Sequence, residues 1–381
     1  MKRIEMPKRH NWKARLEEHG FAFHTIDNSV YWDESVAYQF SERQILELER
    51  ATISVFKLCM DAVDHVIHRN RFAELKIPPA WAELCRQSWN DDEPTIYGRF
   101  DFRYAGDGAP KLLEFNADTP TALLEAAVAQ WVWLEDCIGS GVLPENADQF
   151  NSIHEKLLEQ LGFLRARRGL NQLHFASVQS SNEDHGTVEY LRDIAHQVGM
   201  QTKHLGMDEI GWNANTKRFV DLEEQEIQSL FKLYPWEHLM TEPFGQHVLN
   251  RAVRLIEPAW KMILSNKGIL PILWELSPGH PNLLAASFGP LSGNRVRKPF
   301  FSREGANIRI EAHGTSISSG GEYGQEGYIY QAYAGLPNYD NHYPVIGSWI
   351  IGDMAAGIGI REDSTEITKD TSRFVPHYFV P

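Results

Sequence analysis

Alternating apolar and polar positions predict a β-hairpin about a quarter of the way along the chain. The run YGRFDFRY, from Tyr97 to Tyr104, is rich in aromatic residues and alternates with the period of two that a strand requires. Residues 105–110 contain two glycines and a proline, which is a turn signal, and the strand-like run Lys111–Phe115 follows. The two runs are therefore expected to pair.

Side chains that could bind a metal ion fall at neighbouring positions of this hairpin. Arg99 and Asp101 share one face of the first run, Glu114 lies in the second, and Asn116 follows it by two positions. Two carboxylates and an amide oxygen are hard ligands of the kind that Mg²⁺ uses while sharing its sphere with water and phosphates. Arg99 adds a planar fork of donors for phosphate or carboxylate. The same residues could form an ordinary solvated cross-strand charge pair, so the pattern alone leaves both readings open.

Apolar positions at helical spacing predict a scaffold around the hairpin. The predicted helices are Ser41–His68, Ala80–Trp89, about Ala122–Asp136 and Phe150–Gly169. The segment Asn116–Thr121 is expected to cap the third helix, which would direct free backbone N–H groups toward the proposed metal ion.

A βαβ unit is predicted in the middle of the chain. Its parts are a strand at Leu173–Val178, a polar turn at Gln179–His185, a helix at Gly186–Val198 and a strand at Gln201–Leu205. Such units bind ligands at the carboxyl ends of their strands, so Glu183, Asp184 and His185 could meet a substrate. A polar loop can equally be no more than solvated.

The last third of the chain is predicted to be mainly strand, with a glycine-containing loop. In RKPFFSREGANIRI, a strand containing Lys298 leads into the loop Ser302–Asn307, whose Gly305 would let backbone N–H groups approach an anion. Its spacing is not that of a Walker A loop, and an ordinary hairpin has the same pattern. Further strands are predicted at Tyr328–Tyr333, Val345–Ile351 and Ala355–Arg361.

Composition narrows the classes of function. At 381 residues the chain can form two or three structural units, and its net charge of −14 argues against a nucleic-acid surface. No apolar run is long enough to span a membrane and the N-terminus lacks a signal-peptide core, so a cytoplasmic protein without membrane partners is expected. The cysteines Cys59, Cys85 and Cys137 are predicted to be reduced core thiols.

These features match the needs of ATP-driven group transfer, and the motifs that carry them resemble those of a known family. YGRFDF, KLLEFNADTPTALLEA, NKGILPILW, KPFFSREGANI, YIYQAY and GIRED occur here in the order found in glutathionylspermidine synthases. The chain is similar to the synthetase domain of that family from about Trp12 to Pro381. The resemblance implies an α+β / α/β chain with an ATP-grasp fold, a βαβ-containing pre-grasp unit and a helical N-terminal part.

The resemblance also implies an acid–amine ligase with ATP and Mg²⁺ as cofactors, which forms an amide between a small carboxylate and an amine through an acyl phosphate. A peptide-like acid and a polyamine are the substrates that the family suggests. Within the unit at 12–381, the resemblance implies a helical part at about 1–95, a metal-binding hairpin and helix at 96–138, an α/β substrate-side subdomain at 170–265, and an antiparallel ATP lid at 290–340.

Specific roles follow from the resemblance for seventeen positions. The implied metal ligands are Asp101, Glu114 and Asn116, and the implied catalytic arginines are Arg99 and Arg361. The implied ATP-binding residues are Arg99, Asp101, Lys267, Lys298, Glu304, Gly305, Gln331, Ala332, Tyr333 and Ala334. The implied acid-substrate residues are Thr119, Thr121, Glu183 and Asp184.

Two positions depart from the family pattern. Where glutathione-using members have threonines that help to recognise the thiol peptide, this chain has Leu233 and His238. The departure points to a different acid or amine. A catalytically silent nucleotide-binding regulator with the same fold and a metal-dependent hydrolase that uses no ATP are the alternatives.

Overall fold

The computed structural model describes residues 1–26 and 28–381, and in this part of the chain helices and strands are mixed throughout. The strands are β1 Lys2–Glu5, β2 Thr25–Ile26, β3 Ser29–Val30, β4 Val36–Ser41, β5 Tyr97–Arg103, β6 Lys111–Asn116, β7 Gln172–Ser177, β8 Gln201–Gly206, β9 Gly211–Asn213, β10 Arg218–Val220, β11 Ser229–Leu233, β12 Arg254–Ile256, β13 Ala286–Ser287, β14 Arg295–Pro299, β15 Arg309–Ala312, β16 Thr315–Ser318, β17 Tyr328–Ala332, β18 Tyr343–Ile351, β19 Met354–Asp363, β20 Arg373–Val375 and β21 His377–Val380. The α-helices are α1 Trp12–Glu17, α2 Glu42–His68, α3 Pro79–Asn90, α4 Gln130–Gly139, α5 Ile153–Arg168, α6 Asn182–Gln197, α7 Trp236–Thr241 and α8 Ile269–Leu276.

A five-stranded antiparallel sheet carries the predicted hairpin. Its order is β20-β19-β18-β5-β6, so the hairpin of β5 and β6 forms one edge and the two long C-terminal strands form the middle. The strands β18 and β19 are buried along almost their whole length, and α2 packs against both. Burial on both faces explains why these strands are near-continuous apolar runs rather than alternating ones.

The predicted βαβ unit is confirmed, with one correction. Strands β7 and β8 are parallel neighbours in a sheet of order β12-β11-β7-β8, and α6 connects them. The helix begins at Asn182 rather than Gly186, because the Ser181 side chain accepts a hydrogen bond from the backbone N–H of Asp184 and caps it. Glu183, Asp184 and His185 therefore lie in the first turn of a helix and not in a polar loop.

The glycine-containing loop connects two strands of a third sheet, which is antiparallel with the order β13-β17-β14-β15-β16. Strands β14 and β15 pair from Arg295 with Glu311 to Arg297 with Arg309, as the predicted hairpin requires. A separate small apolar cluster contains Ile310 and Ala312 of β15 together with Ile308 and Ile367. The strands on the other side of the sheet are tied to the main core through Ala286 of β13 and Ile329 of β17, so the β15 side has the smaller apolar support.

Two predictions about helices require correction. The part at 1–95 is not wholly helical, since it also contains β1, β2, β3 and β4, and β4 lies between β1 and β21 in a three-stranded sheet. The helix predicted from Ala122 starts one residue later, because Ala122 is left-handed with φ 66°. It continues as a π-helical segment at Glu125–Ala129 before α4. No side chain of the described residues caps that segment.

Burial agrees with the predicted state of the cysteines and with the helix signals. Cys59, Cys85 and Cys137 are buried free thiols. The helix α2 begins at a capping box formed by Ser41 and Gln44. In the part of the chain that the structure describes, no helix combines the length and the apolar character needed to cross a membrane.

Candidate active site

The candidate site is built on the facing positions of β5 and β6. Arg99 lies opposite Asn116 and Asp101 opposite Glu114, and a β-bulge follows Asp101. The predicted hairpin is thus confirmed, and it brings the four polar residues of the sequence analysis together. The bulge sets Leu113 out of the regular ladder, which leaves its carbonyl available to another partner.

Arg99 is held by contacts on three sides. Its Nε donates to Asp101 Oδ1 at 2.8 Å, its Nη2 to Asp101 Oδ2 at 3.2 Å, and its Nη1 to the carbonyl of Thr121 at 2.7 Å. The side chain lies across Gly347, where a Cβ atom would come within 2.8 Å of Arg99 Cδ. Burial alone would lower the pKa of Arg99, but the Asp101 carboxylate outweighs it and raises the pKa above its ordinary value.

The two carboxylates of the hairpin are each paired with a cation. Asp101 binds Arg99 and also accepts a hydrogen bond from Asn116 Nδ2 at 3.1 Å, while Glu114 Oε2 lies 3.1 Å from Lys267 Nζ. Burial would raise the pKa of Glu114, yet the ammonium groups of Lys267 and Lys298 lower it to about 2. Glu114 is therefore ionised over the whole physiological range, as a metal ligand must be.

Eight of the predicted ATP-binding residues line one cleft between the antiparallel sheets, which we call the central cleft. They are Asp101, Lys267, Lys298, Gly305, Gln331, Ala332, Tyr333 and Ala334. Apolar residues complete its walls, among them Val296, Ile308, Ile310 and Leu336. The cavity measures about 110 Å³, below the roughly 300–1,000 Å³ of typical small-molecule pockets, so in this arrangement the cleft is too small for a whole nucleotide.

Lys298 lies at the bottom of the central cleft. Its Nζ donates to the carbonyl of the bulge residue Leu113 at 2.7 Å and to Gln331 Oε1 at 2.8 Å. Gln331 Nε2 in turn donates to the Leu112 carbonyl at 3.0 Å, so the third sheet is tied to β6 at this point. Burial lowers the pKa of Lys298 to about 8, although the Glu114 carboxylate partly opposes it.

In the loop between β14 and β15, one predicted site residue lines the central cleft and its neighbour does not. Gly305 lines the central cleft with φ 68°, and a Cβ atom there would approach the Thr368 carbonyl to 2.4 Å, so only glycine fits. Glu304 is exposed and does not line the cleft. Its pKa is raised, first by the partial desolvation of its carboxylate and then by the negative charges of Asp370 and Glu183. The two adjacent residues therefore face different surroundings.

Arg303 is a site residue that the sequence reasoning missed. Its Nη1 donates to Thr119 Oγ1 at 2.7 Å, and its Nε and Nη2 donate to Glu237 Oε1 at 3.1 and 2.7 Å. It therefore joins the loop to the residues after β6. The available signal was a cation beside the loop glycine, but only the folded chain reveals its partners.

The segment that carries Thr119 and Thr121 is anchored by a buried ion pair. Lys232 Nζ lies 2.7 Å from Asp118 Oδ1, and Asp118 Oδ2 accepts from the backbone N–H of Trp236 at 2.9 Å. Thr119 thereby faces Arg303, and the Thr121 carbonyl faces Arg99. A larger apolar cavity of about 540 Å³ lies at the carboxyl ends of the parallel strands, and Lys232 also lines its wall.

Glu183 and Asp184 are part of an acidic group that also contains the buried Glu125. Tyr31 Oη donates to Glu125 Oε1 at 2.6 Å and lies 3.5 Å from Glu183 Oε1. Burial and the Glu183 charge raise the pKa of Glu125 to about 8, and they raise that of Asp184 to about 6. Glu125 Oε2 has no hydrogen-bond partner among residues 1–26 and 28–381. Neither Glu125 nor Tyr31 was a sequence candidate, because Glu125 lies in an apolar helical run.

Arg361 lies on β19 and Arg99 on β5, the two strands that flank β18. Arg361 lies opposite Val345 and Phe374, and one of its Nη atoms donates to the Lys369 carbonyl. The positive charge of Arg361 lowers the pKa of Glu125 and so partly offsets the effect of burial. The acidic group thus lies near both arginines, since the Glu183 charge also contributes to the raised pKa of Arg99.

The fold and the sequence both have known relatives. A glutathione synthetase-like effector from Globodera pallida, in its apo form, superposes with a TM-score of 0.59 at 9% identity, covering 97% of this chain and 96% of that one. This likeness shows a shared mixed α/β fold of the glutathione-synthetase type.

The sequence matches place the chain in a family. Residues 3–380 match the family model described as glutathionylspermidine synthase preATP-grasp, and the chain belongs to this family of carbon–nitrogen ligases. A Haemophilus influenzae protein named as an acid–amine ligase is 42% identical over 398 residues, covering 100% of both chains. Trypanothione synthetase of Crithidia fasciculata is 32% identical over 349 residues, covering 83% of this chain and 52% of that protein. The chain thus spans about half the length of that second relative, and the predicted family and enzyme class are confirmed.

Proposed function

We propose that this chain is an ATP- and Mg²⁺-dependent acid–amine ligase with an ATP-grasp arrangement of its antiparallel sheets. The observation that carries the proposal is the central cleft, in which two lysines, a glutamine and the two hairpin carboxylates meet beside Arg99. Cations, oxygen ligands and an apolar wall together suit the triphosphate and the base of a nucleotide.

The donor set on the hairpin fits Mg²⁺. Asp101, Glu114 and Asn116 would hold the ion through hard oxygen atoms, and bound Mg²⁺ would neutralise phosphate charge during transfer. In the present arrangement Arg99 and Lys267 occupy the two carboxylates. On nucleotide binding these two cations would turn toward the phosphates and leave the carboxylates free for the metal ion. Before that, the ion pairs would keep both carboxylates ionised.

The remaining cleft residues would bind different parts of ATP. Lys298 and Lys267 would bind phosphate oxygens, while Gln331 to Ala334 would line the base. The third sheet would act as the lid, since a cleft of about 110 Å³ must widen to admit a nucleotide. Closure would keep water away from the acyl phosphate, which hydrolyses readily.

The acid and the amine would meet beside Arg99, on the side of the hairpin that faces Thr119 and Thr121. Arg99 would stabilise charge on the transferring phosphoryl group, and the acid carboxylate would approach past Thr119, Thr121 and Arg303. An amine would attack the acyl carbon as the free base and displace phosphate, and the carboxylates of Glu183 and Asp184 would provide the negative surroundings that a polyamine's ammonium groups need. Glu125, whose pKa is raised to about 8, is largely protonated at neutral pH and would add negative charge only where a bound ammonium lowers its pKa. Arg361 lies among these acids, where it would limit their net charge.

Glutathione fits this chain poorly as the acid. Leu233 is a buried residue at the end of β11 and belongs to the apolar core, so it offers no hydroxyl to a peptide. His238 lies in α7, where its ring contacts Tyr234 edge-on. We therefore expect another small carboxylate.

ADP release with purified protein, Mg²⁺ and pools of carboxylates and amines tests the proposal. We expect release that requires one acid and one amine, with mass spectrometry detecting their sum less one water. Tight ATP binding without turnover over a broad panel would favour the nucleotide-binding regulator. Absence of ATP binding would overturn the assignment of the cleft.

Nucleotide affinity is expected to fall as pH rises above about 8. Lys298 has a lowered pKa of about 8, so in the free protein its ammonium is charged below that pH and neutral above it. Phosphate favours the charged form, so ATP binding should raise this pKa and take up a proton, at a cost of up to about 1.4 kcal/mol per pH unit.

Calorimetry above pH 8 in buffers of different ionisation enthalpy measures this proton uptake. Lys298→Met should abolish it, and Lys111→Met, which changes a half-buried lysine of β6 whose Nζ donates to the Pro281 carbonyl, should retain it. Equal uptake in wild type and Lys298→Met would contradict the assignment.

A further inference from the structure

A second cluster of metal-ligating side chains lies outside the central cleft. It consists of His185 and Glu189 on α6 and His204 on β8, and one ligand atom from each lies within 4.8 Å of the other two. Within residues 1–26 and 28–381, no other group of three histidine, cysteine, aspartate or glutamate residues meets this condition. We propose that His185, Glu189 and His204 form a binding site for a divalent transition metal, with Zn²⁺ as the fitting ion.

Helix geometry places two of the ligands. His185 and Glu189 are four residues apart on α6, so their side chains project from the same face one turn apart. That face lies against β8, where His204 Nδ1 is 3.3 Å from Glu189 Oε1 and the two imidazole rings are 5.1 Å apart between centroids. Two separate elements thus contribute to one small volume.

The distances require only side-chain rotation to reach a metal geometry. Four ligands at about 2.0–2.1 Å from a tetrahedral Zn²⁺ lie roughly 3.3 Å from one another. The Glu189–His204 pair already meets this spacing. His185 is exposed and at the start of the helix, so its ring can turn inward without displacing the core.

The ligand types distinguish this site from the hairpin. Two imidazoles and one carboxylate suit Zn²⁺, Co²⁺ or Ni²⁺, whereas Mg²⁺ prefers oxygen atoms alone. Three protein ligands leave a fourth position open on the exposed side, where water would bind. Arg192 Nε contacts both Glu189 oxygens at 3.0 and 3.1 Å, and this contact would orient the carboxylate as an outer partner.

A bound ion would fix one end of α6. His185 directly follows Glu183 and Asp184, which lie in the same first turn. Cross-linking that turn to β8 would restrain the acidic group that we assign to the substrates. The binding proposal itself rests on the three ligands and does not require the ligase function.

Metal titration of the full-length, metal-stripped protein tests the site. In excess Mg²⁺, which occupies the hairpin ligands, Co²⁺ should produce visible d–d bands of a four-coordinate site, and Zn²⁺ should displace it at one ion per chain. His185→Gln and His204→Gln should each weaken Zn²⁺ binding by more than roughly tenfold. His196→Gln is the matched control, because His196 is an exposed histidine of the same helix about three turns away.

Either of two results would overturn the proposal. One is the absence of Co²⁺ bands and of Zn²⁺ binding in the wild-type protein. The other is unchanged Zn²⁺ affinity in His185→Gln, a variant at an exposed position that should fold normally. Circular dichroism of each metal-free variant checks the fold, and ADP release measured separately keeps this outcome distinct from the ligase proposal.

Discussion

Arg99→Lys is expected to lower the turnover of ATP-dependent ligation by on the order of 10³-fold, the lower end of what an arginine at a transferring phosphoryl group contributes. Lysine keeps the charge but loses the planar fork, which here contacts Asp101 with two nitrogens and the Thr121 carbonyl with the third. A single ammonium cannot hold all three positions. The ATP dissociation constant should change much less than turnover, because Lys267 and Lys298 are intact.

Arg103→Lys is the matched control for this prediction. Arg103 lies on the same strand, but its Nε donates to the Gly335 carbonyl, away from the hairpin carboxylates. Steady-state rates of ADP release and amide formation measure both variants. Turnover of Arg99→Lys equal to that of Arg103→Lys would remove Arg99 from the reacting centre.

Glu114→Gln and Asp101→Asn should each reduce turnover by roughly 10²–10³-fold and should raise the Mg²⁺ concentration needed for half-maximal rate. Each change removes one anionic oxygen ligand while keeping the side-chain shape. In Glu114→Gln the neighbouring ammonium group of Lys298 also loses the carboxylate that opposes the lowering of its pKa, so Lys298 should deprotonate more readily.

Mg²⁺ titrations of the ligation rate, with thermal unfolding as the check on folding, test these two variants. Glu311→Gln is a suitable control, because Glu311 is a carboxylate of the lid sheet paired with Arg295 and is not part of the central cleft. Full ligation by Glu114→Gln at unchanged Mg²⁺ concentration would refute the metal assignment.

The hairpin could be predicted from sequence because its determinants are local. Strand alternation, a turn with two glycines and a proline, and a short return strand all lie within about twenty residues, and the observed register follows from them. Lys267 and Lys298 carry no such signal. They lie more than 150 residues further along the chain, and only the family resemblance linked them to Glu114.

The misplaced helix starts have separate physical causes. For α6, the sequence did contain the cap, since Ser181 precedes a helix whose first turn is acidic, but the polarity of that turn was interpreted as a loop. For the segment after Thr121, the left-handed Ala122 and the π-helical turn have no sequence signature. Arg303 was missed for a different reason, because its partners Thr119 and Glu237 are far from it in the sequence, and Glu125 was missed because it lies in an apolar helical run.

The sheet β1-β4-β21 has a consequence for how the chain is made. Tyr38 pairs with His377, and Arg3 forms an ion pair with the buried Glu362 of β19. During synthesis, one edge of β4 therefore remains without its partner until the residues up to β21 have left the ribosome. Closing so long a loop is entropically costly, and contacts of such sequence separation slow folding. Until then the nascent chain carries an open strand edge, which is the kind of surface that chaperones shield from aggregation.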